Sequence, residues 1–135
     1  MSLLIKNGLV VTSTGRYTAD VYVEAGKIKT IGLNLDNAAQ TIIDARGKYV
    51  LPGAIDPHTH LAMPFMGTFA QDDYETGTIA AACGGVTCVV DFDLQQKGES
   101  LFQAIERKKS WAKDKVAVDY SLHPAIMDPR PEVID

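Results

Sequence analysis

The stretch Val50-Leu51-Pro52-Gly53-Ala54-Ile55-Asp56-Pro57-His58-Thr59-His60 decides the fold, because the chain changes character on either side of it. Upstream, apolar and polar residues alternate at period two, the mark of half-buried strands. Residues 3–11 form one such segment, interrupted by Lys6-Asn7-Gly8 and followed by a polar stretch at 12–16. Residues 19–23 and 28–32 alternate around Glu24-Ala25-Gly26-Lys27, which reads as a hairpin turn. Further strands are predicted at 41–44 and 48–51, with Asp44-Ala45-Arg46-Gly47 as the turn between them. Downstream, strands and helices alternate. An apolar strand leads into His58-Thr59-His60. A helix is predicted over 72–83, capped by Asp72 or Asp73, striped by Ile79, Ala80 and Cys83, and ended by Gly84-Gly85. Residues 86–91 read as a strand buried on both faces. A second helix follows over 100–112, with Ser100 as N-cap and Leu101, Ala104, Ile105 and Trp111 on its apolar face. A third strand at 116–122 precedes a Pro-rich loop at 124–131. Such alternation argues for an α/β region with a parallel sheet, 53–135, after an all-β segment, 1–52.

Composition narrows the classes. Among 135 residues, 46% are apolar and 22% charged, which suits a packed globular chain. The net charge of −4 excludes an electrostatic case for nucleic acid. Arg107-Lys108-Lys109, the one basic cluster, reads as an exposed helix face. No apolar run reaches the roughly 18 residues of a membrane span, and the N-terminus meets Lys6 too early for a signal peptide. The two cysteines, Cys83 at a helix end and Cys88 in a strand, read as packing residues, so no disulfide and a cytoplasmic setting are expected.

The chemistry lies in His58-Thr59-His60. Residues i and i+2 of a strand point to one side, roughly 6.6 Å apart along the chain. Two imidazoles so placed can converge on one ion, and imidazole is the commonest nitrogen ligand of zinc. A bare H-x-H also occurs as two polar residues at a strand end. Here it closes a turn, an apolar strand and a carboxylate, and that context strengthens the metal reading. Strand ends are also where barrel enzymes carry their sites. Asp56 should share the face of His58. Asp91 and His123 end later strands on the same side. Asp91 fits either a group that orients a ligand or a strand-end cap, and His123 fits a supporting role.

Residues 50–60 resemble the opening strand of the amidohydrolase superfamily. Met63-Pro64-Phe65-Met66-Gly67-Thr68 with Asp72-Asp73-Tyr74-Glu75-Thr76-Gly77-Thr78, then Gly84-Gly85-Val86-Thr87, Val90-Asp91-Phe92, Ser110-Trp111-Ala112 and Asp119-Tyr120-Ser121-Leu122-His123, narrow the likeness to its dihydropyrimidinase and hydantoinase branch. The resemblance implies the start of a TIM-like (β/α)8 barrel, preceded by a small segment of a composite β-sandwich. It implies a divalent metal centre, two zinc ions in a complete site, with His58 and His60 binding the more buried ion. The bridging carboxylated lysine, two more histidines, an aspartate and a tyrosine belong to later strands, so no catalytic residue is assigned here. Met63 and Phe65 become candidates for the substrate pocket, with packing as the alternative. Ala62 departs from an acidic residue frequent in bacterial hydantoinases, which puts substrate range in doubt rather than activity.

The implied reaction is ring opening of a small cyclic amide, a dihydropyrimidine or hydantoin, by a homo-oligomer, tetrameric in the family, with no nucleic acid or membrane partner. A non-catalytic scaffold of the same fold, like the collapsin-response proteins, is the alternative; those lack an intact histidine pair. Three β/α elements cannot close a barrel, and two ligands fall short of a catalytic zinc site. The chain is therefore expected to be the N-terminal portion of a longer enzyme, or to need a partner chain.

Overall fold

The computed structural model describes residues 1–134, in two compact units: Met1–Pro52 and a second that begins at Gly53. The first is a five-stranded sheet made of β1 (Ser2–Thr12), β2 (Gly15–Glu24), β3 (Lys27–Gly32), β4 (Thr41–Asp44) and β5 (Tyr49–Val50). β1 is central. It pairs antiparallel with β2 along its whole length, and its other edge holds β4 and β5 end to end in parallel register. The interruption read at Lys6-Asn7-Gly8 is a bulge inside one continuous strand, with Asn7 in the left-handed region at φ 62°. Its amide donates to Asp20 Oδ1 at 2.7 Å, and Leu35 N donates to Asp20 Oδ2 at 2.9 Å. Ala25 and Gly26, both with positive φ, make the tight turn between β2 and β3. The polar 12–16 stretch is a second tight turn, because β1 and β2 pair up to Thr12 and Gly15.

Leu4, Val10, Ala19 and Val21 are buried on this sheet, while Ile28, Ile31, Ile42 and Ile43 remain exposed. Within this unit there is one sheet among the described residues, one layer where a sandwich needs two.

The second unit contains β6 (Ala54–Thr59), β7 (Pro64–Phe65), β8 (Thr68–Phe69), α1 (Tyr74–Cys83), β9 (Val86–Leu94), α2 (Leu101–Ala112), β10 (Asp119–Ala125) and α3 (Pro131–Ile134). Three strands run parallel in the order β6-β9-β10, the consecutive order of a barrel wall. α1 packs on β9, and α2 on β9 and β10. Both helices start with a capping box. Asp73 accepts from Glu75 N and Thr76 N, while Thr76 Oγ1 receives the Asp73 amide. Ser100 and Gln103 exchange the equivalent bonds. No helix among the described residues is long and apolar enough to cross a membrane.

Several details differ from the sequence reading. The third strand begins three residues later than predicted. The Ala117 amide donates to the Thr78 hydroxyl at 2.9 Å instead of to a strand, so the ladder starts at Asp119. On α1 the buried residues are Tyr74 and Thr78, whereas Ile79 and Cys83 are exposed. β9 continues to Leu94, and only Val89, Asp91 and Asp93 of it are fully buried, so it is not sealed on both faces. The 61–71 loop contains the β7-β8 hairpin, turned at Met66 and Gly67, both with positive φ. The Pro-rich end leads into the short helix α3.

Candidate metal centre

β6 is an imperfect strand. Pro57 has no amide to donate, and the register with β9 breaks between Asp56 and Thr59. The His58 amide turns to Asp56 Oδ1 at 3.1 Å, so this carboxylate serves the local backbone. Even so, parity holds at the strand end. His58 Nε2 and His60 Nε2 lie 3.2 Å apart, with ring centroids at 5.0 Å in edge-on contact. Two zinc–nitrogen bonds of about 2.0–2.1 Å meeting near the tetrahedral angle would place their nitrogens about 3.3 Å apart. The pair therefore fits one shared ion. Among the described residues there is no group of three or more His, Cys, Asp and Glu side chains able to hold a metal.

On the same side, Phe92 of β9 touches both imidazoles, with centroids 4.4 Å from His58 and 5.5 Å from His60. His123 of β10 lies on the far side of that ring, 5.1 Å away, and Phe92 stands between it and the pair. Sequence reasoning passed over Phe92. Its signal was alternation along β9, which sends Phe92 to the face opposite Asp91 and Asp93.

Met63 and Phe65 line a cavity of about 520 Å³ beside His60, with Thr68, Phe69 and Ala70. The β7-β8 hairpin thus brings both predicted pocket residues next to the nearer histidine. Met66 is 89% exposed at the hairpin tip and is not among the residues lining this cavity.

Behind the histidines the chain buries charge. Asp91 is not a strand-end cap: it lies within β9, fully buried. Its Oδ1 accepts from Thr59 Oγ1 at 3.1 Å and Leu61 N at 2.8 Å. Its Oδ2 accepts from the Tyr74 hydroxyl at 2.8 Å and lies 3.0 Å from Lys108 Nζ. Burial, and then the bond to Asp91, pushes the Tyr74 phenol far above its usual range.

Lys108 overturns the reading of an exposed basic face. It is 1% exposed, and it donates to Leu61 O at 2.7 Å as well as pairing with Asp91. Its helical spacing with Leu101 and Ala104 was the available signal, since a long stem can lie in an apolar stripe. The neighbouring Arg107 is also engaged, at 2.9 Å from Glu99 and 3.2 Å from Asp93. Arg107 holds the Glu99 carboxyl below its ordinary value, whereas burial raises that of Asp93. Of the cluster only Lys109 lies at the surface, paired with Glu106.

The Amidohydrolase family profile matches residues 49–122, more than half of the chain. A D-hydantoinase of Geobacillus stearothermophilus is 51% identical over the whole chain, and a dihydropyrimidinase of Dictyostelium discoideum is 47% identical over 93% of it. The crystal structure of a dihydropyrimidinase from Brevibacillus agri superposes on 98% of the chain with a TM-score of 0.94 and 47% identity. The chain spans 29%, 25% and 29% of the lengths of these three proteins. The chain belongs to the amidohydrolase family and is similar to its D-hydantoinases and dihydropyrimidinases.

Proposed function

We propose that this chain is the N-terminal part of a hydrolase that opens a cyclic amide ring, a dihydropyrimidine or a hydantoin. The observation that carries this reading is the 3.2 Å approach of His58 Nε2 and His60 Nε2 at the end of the first parallel strand. These two nitrogens would hold one divalent ion, most simply zinc. Bound there, a divalent ion supplies Lewis acidity, which lowers the pKa of water and polarises an amide carbonyl. The chain's own residues orient and enclose. Phe92 limits the swing of both imidazoles, and Met63 and Phe65 offer an apolar wall to a ring substituent beside His60.

The remaining ligands, a bridging carboxylated lysine for a second zinc and the strands that close the barrel lie outside this chain. So does the layer that would cover exposed Ile42 and Ile43 of the first unit and make a sandwich of it. An intact mass several times that of 135 residues in the native source is the expected sign of a longer parent. Assembly into a homo-oligomer would follow the family.

The deciding experiment assays the zinc-loaded full-length protein with dihydrouracil and hydantoin, beside His58→Ala and His60→Ala. Turnover of at least one ring is expected, with both variants falling to background and losing metal. Parent-like turnover in both variants sinks the metal reading. Absence of any ring opening, with metal bound, points to a non-catalytic scaffold.

A further inference from the structure

We propose that the buried Asp91–Lys108 pair is a positioning device that keeps His58 and His60 aimed at one point; this rests on the metal-site reading above. The reason lies in how β6 ends. A strand normally takes its register from backbone pairing, but here pairing lapses between Asp56 and Thr59, Pro57 has no donor, and the His58 amide is spent on Asp56. Backbone pairing on its own therefore does not hold the segment that carries the histidines.

Side chains from two other elements, Asp91 of β9 and Lys108 of α2, take over, and they grip both neighbours of His60. On one side the Thr59 hydroxyl donates to Asp91 Oδ1 at 3.1 Å. On the other, the Leu61 amide donates to the same oxygen at 2.8 Å, and the Leu61 carbonyl accepts from Lys108 Nζ at 2.7 Å. Both polar groups of one residue, Leu61, are thus tied to the two halves of a single ion pair. The pair is itself fixed. Tyr74 at the start of α1 donates to Asp91 Oδ2 at 2.8 Å, and Lys108 Nζ lies 5.6 Å and 5.4 Å from the Tyr74 and Trp111 ring centres. Four contacts occupy the roughly four lone-pair directions of the carboxylate.

Alternation along the strand makes this grip act on the site. Thr59 and Leu61 point to the helix side, so His58 and His60 point to the other, where Phe92 meets both rings. β9 consequently holds the end of β6 from both faces, by Asp91 behind and Phe92 in front. A buried ion pair contributes little stability beyond an apolar replacement, but its hydrogen bonds have direction, and direction is what a ligand pair needs. Asp91 and Lys108 touch no imidazole in this arrangement. They are positioning residues, acting through the backbone on either side of His60.

The test measures zinc affinity by chelator competition, and the visible spectrum of the cobalt-substituted protein, in the full-length protein. The variants are Asp91→Asn with Lys108→Met together, Tyr74→Phe as a milder change that leaves the charges in place, and His60→Ala. The double variant should bind zinc about 10–100-fold more weakly and show an altered cobalt spectrum, while the metal-free protein melts near the parent temperature. Tyr74→Phe should weaken binding less, in the same direction, and it carries the test if the double variant does not fold. Parent-like affinity and spectrum in the variants that fold, with His60→Ala losing metal, overturn the positioning role alone. Retained affinity in His60→Ala overturns the metal reading and this proposal with it.

Discussion

The two units of the chain solve the same local problem with different chemistry. In each, a strand breaks its pairing and a buried carboxylate takes up the backbone. In the first unit the break is the bulge at Asn7, and Asp20 accepts from the amides of Asn7 and Leu35. Around it the buried residues are apolar: Leu4, Val10, Ala19 and Val21. In the second unit the break is at Pro57, and Asp91 accepts from Thr59 and Leu61, but here a lysine is buried with it. Asp93, Gln95 and Thr78 are buried nearby. At the bulge the carboxylate meets two neutral amides and, among the described residues, no charged partner. The lysine adds a donor for the Leu61 carbonyl, which an amide-only arrangement leaves free. The difference teaches that a buried ion pair, rather than a lone buried carboxylate, stands where backbone placement has to be exact in direction, beside the histidines.

That contrast can be broken experimentally. The largest effect should come from splitting the ion pair. Asp91→Asn or Lys108→Met alone should cost about 3–5 kcal/mol, because one charge stays buried without its partner. Combined, Asp91→Asn and Lys108→Met should cost far less than the sum of the single changes. Denaturant titration of this cycle in the assembled protein measures the coupling, and additive costs would show that the pair does not act as a unit. Asp20→Ala should cost less, about 1–3 kcal/mol, since it leaves neutral amides unsatisfied. It should leave metal binding unchanged. Weakened metal binding in Asp20→Ala would end the division of labour between the units.

The smallest effect concerns pH. Hydrogen bonds from the Thr76 backbone, and further ones from its hydroxyl and from Glu75, outweigh burial and hold the Asp73 carboxyl below its ordinary value. A lowered folded-state value means that its stabilisation is complete above the unfolded value of about 3.9. It is lost as pH falls through the lower one. Asp73→Asn keeps a good cap and removes only the charge. Melting curves of parent and variant should differ slightly at neutral pH, and the gap should narrow as pH falls below about 4. A constant gap across that range would show that the charge contributes nothing at the start of α1.

The sequence by itself determined the types of the longer elements and the parity of the site. Period-two alternation located the strands of the first unit, with the turn at Ala25-Gly26. Ser100 and the carboxylates at 72–73 announced the helix starts. The spacing of His58 and His60 placed them on one side of a strand end. These are local properties, set by backbone sterics and the repeat of the element. Partners over long separations were decided only by the tertiary structure. That Lys108 turns inward could be suspected from its place in an apolar stripe. That it meets Leu61, 47 residues away, and Asp91, which in turn holds Leu61 across 30 residues, could not. The late start of β10 has the same origin, because a hydroxyl 39 residues distant takes the Ala117 amide out of the ladder. Periodicity reports which face of an element is apolar. It carries no record of which donor on one element meets which acceptor on another, and in this chain those meetings hold the histidines in place.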